Sequence, residues 1–298
     1  MFAAIPFLSL PAYDIPVPGI GVLPLDPWAL LVCTGFVVGL EIARARAIRL
    51  GLDVRDIVDG AVFIVLMGFL WGHIITVVAY YPERLKTDGI WSLLRVWEGF
   101  SSFGGFLGAV IGWALFYGVI RRRPALRMAD VIVYGFPFGW FFGRLGCGVV
   151  HDHIGRLTTS PIGMDFDHGI PMFHGTGDPY SAASGIRFEL GLTEAAYMVG
   201  VAALWLYLGR KDRVPGFYLG LFAVVYAPVR FCMDFLRNND LGHQDVRYYG
   251  LTPAQYGSII MLTLGLAVLA TRNWKGFKPW AMDGKPDQDA RANGDAPS

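Results

Sequence analysis

The chain has 298 residues, 54% of them hydrophobic and only 16% charged, with a formal net charge of +1 at pH 7. An ordinary soluble domain is charged at about a quarter of its positions, so this composition excludes most soluble classes and points to a membrane. Balanced charge gives no sign of nucleic acid, and none is expected as a partner. What matters is where the arginines lie.

Residues 1–27 hold no Lys or Arg and are interrupted by Pro6, Pro11, Pro16 and Pro18. They lack the basic start and unbroken apolar run of a cleavable signal peptide. A segment lying along the outer membrane surface is expected instead. Apolar stretches of spanning length then follow near residues 28–43, 57–79, 103–120, 130–150, 190–208, 217–236 and 255–270. Arg44, Arg46, Arg49 and Arg55 follow the first stretch; Arg121, Arg122, Arg123 and Arg127 follow the third. Arg210, Lys211 and Arg213 follow the fifth, and Lys275, Lys278 and Lys285 lie beyond the seventh. Basic residues in short loops mark the cytoplasmic side. The expectation is an all-α integral membrane protein of about seven transmembrane helices, N-out and C-in, with an outer loop domain between spans four and five. Its parts would be an external segment 1–27, a membrane domain 28–272 containing the loop 151–188, and a polar cytoplasmic tail 273–298.

No repeat at a fixed period and no two-half symmetry are visible, which argues against a transporter. Cys33, Cys147 and Cys232 fall within apolar runs with no pairing pattern, so no disulfide framework is expected. Ser101, Ser102 and His73 could mimic a membrane serine protease, but no glycine flanks the serine pair.

Ionisable groups at membrane depth usually face a bundle interior or a substrate path. Here they are Asp59, His73, Arg144, Glu194, Arg230 and Asp234. Arg144 sits late in the fourth span between Gly143 and Gly146; Arg230 sits late in the sixth. Arg230 and Asp234 are spaced i,i+4 and share a helix face. One reading is a structural pair that ties helices together. The other is a pair of guanidinium forks for a phosphate or carboxylate. Both arginines lie toward the outer ends of their spans, at lipid headgroup level, so a phospholipid-handling site follows.

The outer loop opens His151-Asp152-His153 and also holds His168 and His174, four of the six histidines. Such a cluster supplies an acid/base, binds a metal, or is ordinary polar surface. All three readings stay open on the residues alone.

The run from Gly143 to Arg156 (GRLGCGVVHDHIGR) resembles the signature of bacterial prolipoprotein diacylglyceryl transferases, Gly-Arg-x-Gly-Asn-Phe-x-Asn-x-Glu with Gly-Arg shortly after. Ser101-Ser102-Phe103-Gly104-Gly105 is similar to the family's Ser-Phe-His-Gly-Gly, and Leu192-Thr193-Glu194 to its Gln-Leu-Tyr-Glu. Arg230-Phe231, Asp234-Phe235 and Arg237 resemble its Arg-Phe-x-x-Glu-Phe-x-Arg. The resemblance implies transfer of the diacylglyceryl group of phosphatidylglycerol, or a similar anionic phospholipid, to the lipobox cysteine of a preprolipoprotein. The reaction would occur at the periplasmic face of the bacterial inner membrane and would need no metal or organic cofactor.

Carried over residue by residue, Arg144 and Arg230 would hold the headgroup, with Arg156, Asp234 and Arg237 among the substrate-binding residues. Gly143, Gly146 and Gly155 would shape the pocket, and Asp152 would take the place of the signature's Glu. This chain departs from the motifs at several positions. Phe103 stands where the family has a histidine, Cys147 and Val150 where it has asparagines, Trp28 where it has a tyrosine, and Phe188 where another motif has a histidine. A relocated base at His151 or His153 is therefore expected, since a thiol needs a base at neutral pH. The alternative is a scaffold that binds anionic phospholipid without transferring it.

Overall fold

A computed structural model describes residues 5–7, 10, 13–18, 21–95, 101–167, 183–241 and 247–271. The expected tail 273–298, together with His168 and His174, lies outside the described residues. The helices are α1 Pro27–Arg49, α2 Val54–Ile75, α3 Glu83–Thr87, α4 Ser102–Trp113, α5 Ala125–Val150, α6 Leu190–Leu208, α7 Phe217–Met233 and α8 Pro253–Ala270. Two of them run on as π-helical turns: α2 into Thr76–Tyr80, and α4 into Ala114–Ile120.

Among the described residues, five helical stretches are long and apolar enough to cross a membrane: Pro27–Arg49, Val54–Val78, Leu190–Leu208, Phe217–Leu236 and Pro253–Ala270. The chain is a multi-pass membrane protein. The expected third span is a shorter apolar helix, Gly104–Ile120. The expected fourth lies in α5, which has 26 residues but carries Arg127, Asp130 and Arg144. Val37, Leu66, Val199 and Leu264 are exposed along these helices, as lipid contact requires.

The chain divides into two compact units. One comprises the described residues of Ala43–Tyr134 and Asp212–Leu219, with Thr271. Its seam is α2 against α4. A Cβ added at Gly104 would stand 2.6 Å from the Trp71 carbonyl oxygen, and one at Gly108 2.7 Å from Trp71 Cβ. Glycines four apart line one helix face, and helices in lipid associate through such close approach. Ala43, Ala47, Ile57, Phe116, Tyr117 and Val131 form its apolar core. Polar pairs surround that core. Tyr117 Oη donates to the Asp56 carbonyl at 2.8 Å, and Arg127 forks onto Asp212 at 2.9 and 2.7 Å. The Asp130 carboxylate accepts from the backbone N–H groups of Gly216, Phe217 and Leu219 at 2.8, 3.1 and 2.9 Å, satisfying donors at the start of α7. His73 is buried with Nε2 2.9 Å from the Ser92 carbonyl oxygen, and the exposed Asp59 pairs with Arg121 at 2.7 Å. Asp59 and His73, the two α2 candidates from the sequence, are therefore held by neighbours in this unit.

The other unit comprises Met1–Ile42, Gly135–Lys211 and Gly220–Ala270. In it α1 and α5 cross at glycines: a Cβ at Gly139 would meet the Gly35 carbonyl oxygen at 2.6 Å. Two additions to the helical expectation appear here. The N-terminal segment holds an antiparallel hairpin, β1 Tyr13–Val17 with β2 Gly21–Leu25, Tyr13 opposite Leu25. The loop after α5 holds a three-stranded sheet in the order β3-β5-β4, from Ile154–Leu157, Ile186–Glu189 and Met164–Asp165. Ile154 faces Glu189 in register, and Arg187 faces both Leu157 and Met164. Ile154, Met164, Phe166, Ala183 and Leu241 make the small core of this region. The buried Arg187 forks onto Asp240 at 2.9 and 2.5 Å, tying β5 to the chain that follows α7.

Candidate functional site

The last turns of α5 bring Trp140, Arg144 and Cys147 toward one side of the helix, at spacings of four and three residues. Arg144 is buried, and its Nε lies 3.0 Å from Oε1 of Glu194, one turn into α6. The same carboxylate oxygen accepts from Trp140 Nε1 at 2.8 Å and from Tyr226 Oη at 2.6 Å. The guanidinium also lies over the Trp140 ring, 4.6 Å from its centroid. Arg144 is thus fixed from two sides, with Nη1 left to face the turn that follows α5.

That turn supplies Asp152 and His153. His153 Nδ1 is 2.5 Å from Asp152 Oδ1, and His153 Nε2 is 3.4 Å from Arg144 Nη1. Arg144 Nη1 also reaches Cys147 Sγ at 3.9 Å. Burial alone would pull the His153 imidazole down, but the Asp152 carboxylate outweighs it and pushes the ring up to about 9. Burial likewise opposes the Asp152 charge, yet His153 and then Arg144 hold its carboxyl below the usual range. Asp152 also orients the ring. With Nδ1–H donating to the carboxylate, Nε2 of the neutral imidazole is left as an acceptor on the Arg144 side.

His151 does not join this group. Its φ of 54° turns the backbone through the left-handed region and buries the ring between Phe7, stacked at 4.5 Å, and the edge of Phe166 at 5.4 Å. Its Nδ1 is 3.8 Å from Glu189 Oε2. Burial pushes the Glu189 carboxyl up, with His151 opposing.

Arg230, on α7, donates to Asp234 Oδ1 at 2.9 Å, confirming the contact expected from their spacing. Asp234 is fully buried and also accepts from Thr252 Oγ1 at the start of α8. Arg230 acts electrostatically on Glu194 and Tyr226, the partners of Arg144, so the two arginines belong to one charged neighbourhood. Beside Arg230, an open apolar hollow of about 390 Å³ is lined by Pro228, Val229, Cys232, Met233 and Leu236.

The remaining sequence candidates divide. A Cβ at Gly155 would stand 2.7 Å from the Leu236 carbonyl oxygen, because Gly155 pairs with Arg237 as a backbone bridge between the sheet and the end of α7. Gly146 packs against Trp28, where a Cβ would meet Cδ1 at 3.3 Å, and Gly143 faces open space. Arg156 is exposed on β3. Phe103 lies in the first turn of α4.

A family model described as prolipoprotein diacylglyceryl transferase matches residues 17–271. The chain belongs to that family. It is similar to proteins named phosphatidylglycerol–prolipoprotein diacylglyceryl transferase from several bacteria. One from Nitratidesulfovibrio vulgaris strain DP4 is 30% identical over 277 residues, covering 91% of this chain and 99% of the relative. One from Cupriavidus necator is 31% identical over 267 residues, covering 87% and 92%. One from Nitrosomonas europaea is 28% identical over 284 residues, covering 94% and 95%.

Sequence reasoning about this family member missed three contributors. Trp140 and Tyr226 are not singled out in the sequence, and only their shared contact with Glu194 reveals them as part of the support for Arg144. Cys147 read as a motif substitution, and the fold puts it among charged groups. Its position three residues after Arg144 was the available signal.

Proposed function

We propose that this chain transfers the diacylglyceryl group of phosphatidylglycerol to the lipobox cysteine thiol of prolipoproteins. The observation that carries the reading is the Arg144–His153–Asp152 constellation: a buried guanidinium held by Glu194, facing an imidazole oriented by a carboxylate. His153 Nε2 takes the thiol proton. The sulfur attacks the glycerol carbon that bears the phosphate ester, the C–O bond breaks, and glycerol phosphate leaves with the electron pair. Arg144 and Arg230 stabilise the charge on the departing phosphate. The apolar hollow beside Arg230 suits an acyl chain. Gly143, Gly146 and Gly155 shape the pocket, while Arg156, Asp234 and Arg237 bind or frame the substrates. His151 is a packing residue on this reading, and no cofactor is needed for the transfer itself.

The reading also takes the seven-span, N-out and C-in layout, with residues 1–27 and the loop 151–188 periplasmic and 273–298 cytoplasmic. The basic loops after spans one, three and five support it. It puts the site at the outer leaflet of the inner membrane, beside phosphatidylglycerol and the emerging preprolipoprotein.

Phe103, at the family motif's histidine position, supports a second reading, a scaffold that binds anionic phospholipid without chemistry. One experiment separates the two. Purified protein is incubated with phosphatidylglycerol and a lipobox peptide, and the peptide is analysed by mass spectrometry. A thioether-linked diacylglyceryl product is expected; bound lipid with unmodified peptide would establish the second reading instead.

A further inference from the structure

Cys147 stands where the family motif has an asparagine, so its thiol is a donor that the motif itself does not supply. The thiol of Cys147, the carboxylate of Asp152 and the ring of His153 each offer a donor atom, and these atoms all lie within 4.8 Å of one another. Bonds of about 2.0–2.3 Å at a tetrahedral centre hold neighbouring ligand atoms about 3.3–3.7 Å apart. The present spread of up to 4.8 Å is about 1 Å wider than such an ion would hold. Cys147 lies in the last turn of a long helix, and the other two residues occupy the short turn before β3, so the backbone is already fixed.

The donor chemistry narrows the occupant. Mg²⁺ and Ca²⁺ take oxygen ligands, whereas a sulfur, nitrogen and oxygen set suits a borderline-soft divalent ion. Charge agrees. A thiolate and a carboxylate with a neutral imidazole carry two negative charges, which a dication balances. The adjacent Arg144 cation is paired with Glu194 at 3.0 Å, and the two anionic ligands stand between its field and the ion.

We propose that Cys147, Asp152 and His153 form a three-ligand site for a Zn²⁺-type divalent cation, with a fourth position open to water. Binding releases the thiol proton to solvent, and the ring ligates as the neutral imidazole, with its one remaining proton on the nitrogen turned away from the ion. The ion and a substrate proton compete for the same imidazole, so the loaded protein is a silent form. That consequence rests on the transfer reading; the binding does not.

The test uses the full chain in detergent, stripped with a chelator and titrated with Co²⁺ as a spectroscopic probe. One Co²⁺ per chain is expected, with a thiolate-to-cobalt charge-transfer absorption that stoichiometric Zn²⁺ removes. Cys147→Ser abolishes that absorption, while Cys33→Ser and Cys232→Ser retain it. His153→Gln keeps the thiolate but weakens Co²⁺ binding tenfold or more, and it decides the matter even if Cys147→Ser fails to fold. No absorption in the unaltered chain, its survival in Cys147→Ser, or unchanged affinity in His153→Gln would overturn the site. Mass-spectrometric transfer activity is read separately, so loss of either result leaves the other standing.

Discussion

Glu194 takes three contacts on one carboxylate oxygen, from Arg144, Trp140 and Tyr226, and it is buried together with Arg144 and Tyr226. Removing one member of a buried ion pair leaves the other uncompensated, at a cost of about 3–5 kcal/mol. Glu194→Ala is therefore expected to lower stability by about that amount in detergent unfolding, while Glu194→Gln, which keeps an acceptor for Trp140 and Tyr226, loses less. The neighbouring histidines give a second contrast. His153→Ala is expected to reduce transfer about 10²–10⁴-fold, as loss of a general base does. His151→Ala leaves the chemistry and instead lowers thermal stability, because it empties the space between Phe7 and Phe166. Equal loss of kcat in both, at unchanged stability, would contradict this division. With His153 raised to about 9, its free-base form grows as pH rises toward that value. kcat/KM of chelator-treated protein should climb about tenfold per pH unit between 6 and 8. Asp152→Asn removes the charge that raises the ring and should shift the inflection downward. Sequence alone could rank Arg144 and a histidine of this run, but not choose between His151 and His153. The positive φ at His151, which sends the two rings apart, has no reliable mark in a His-Asp-His string.

At the scale of elements, the helices were legible because their apolar runs are long; the sheet was not. β3 and β5 are four residues each, joined by pairings some thirty residues apart, and their alternation is too short to distinguish from loop. The bridge from Gly155 to Arg237 is equally non-local, so the motif glycine is readable while its partner is not. The glycines of α5 differ in what they permit. Gly139 lies against the backbone of α1, so Gly139→Leu forces apart two helices that contact at main-chain distance. Overpacking of this kind costs about 1–3 kcal/mol. Gly143, one turn later, has nothing within 4 Å of an added Cβ, and Gly143→Ala should fold normally. Thermal denaturation followed by size-exclusion chromatography distinguishes them. Comparable losses in both would mean that α5 is constrained by helix propensity rather than by its contact with α1.

Across the whole molecule, apolarity and charge placement carry different information. Five helices among the described residues are long and apolar enough to cross a membrane, and α5, which carries Arg127, Asp130 and Arg144, is not one of them. Asp130 satisfies the start of α7 and Arg127 pairs with Asp212 near one end, while Arg144 meets Glu194 near the other. Counting α5 and Gly104–Ile120 as spans gives seven, and an odd number puts the termini on opposite sides. The arginines at 121–123 then select which side is cytoplasmic. Alkaline phosphatase fused after Thr159 should be active, whereas a fluorescent protein fused after Arg123 should fluoresce in the cytoplasm. The reverse pattern would move Arg144 and His153 to the inner leaflet. Lipobox cysteines emerging on the outer side could not reach them there, so the inversion would remove the transfer reading as well as the topology.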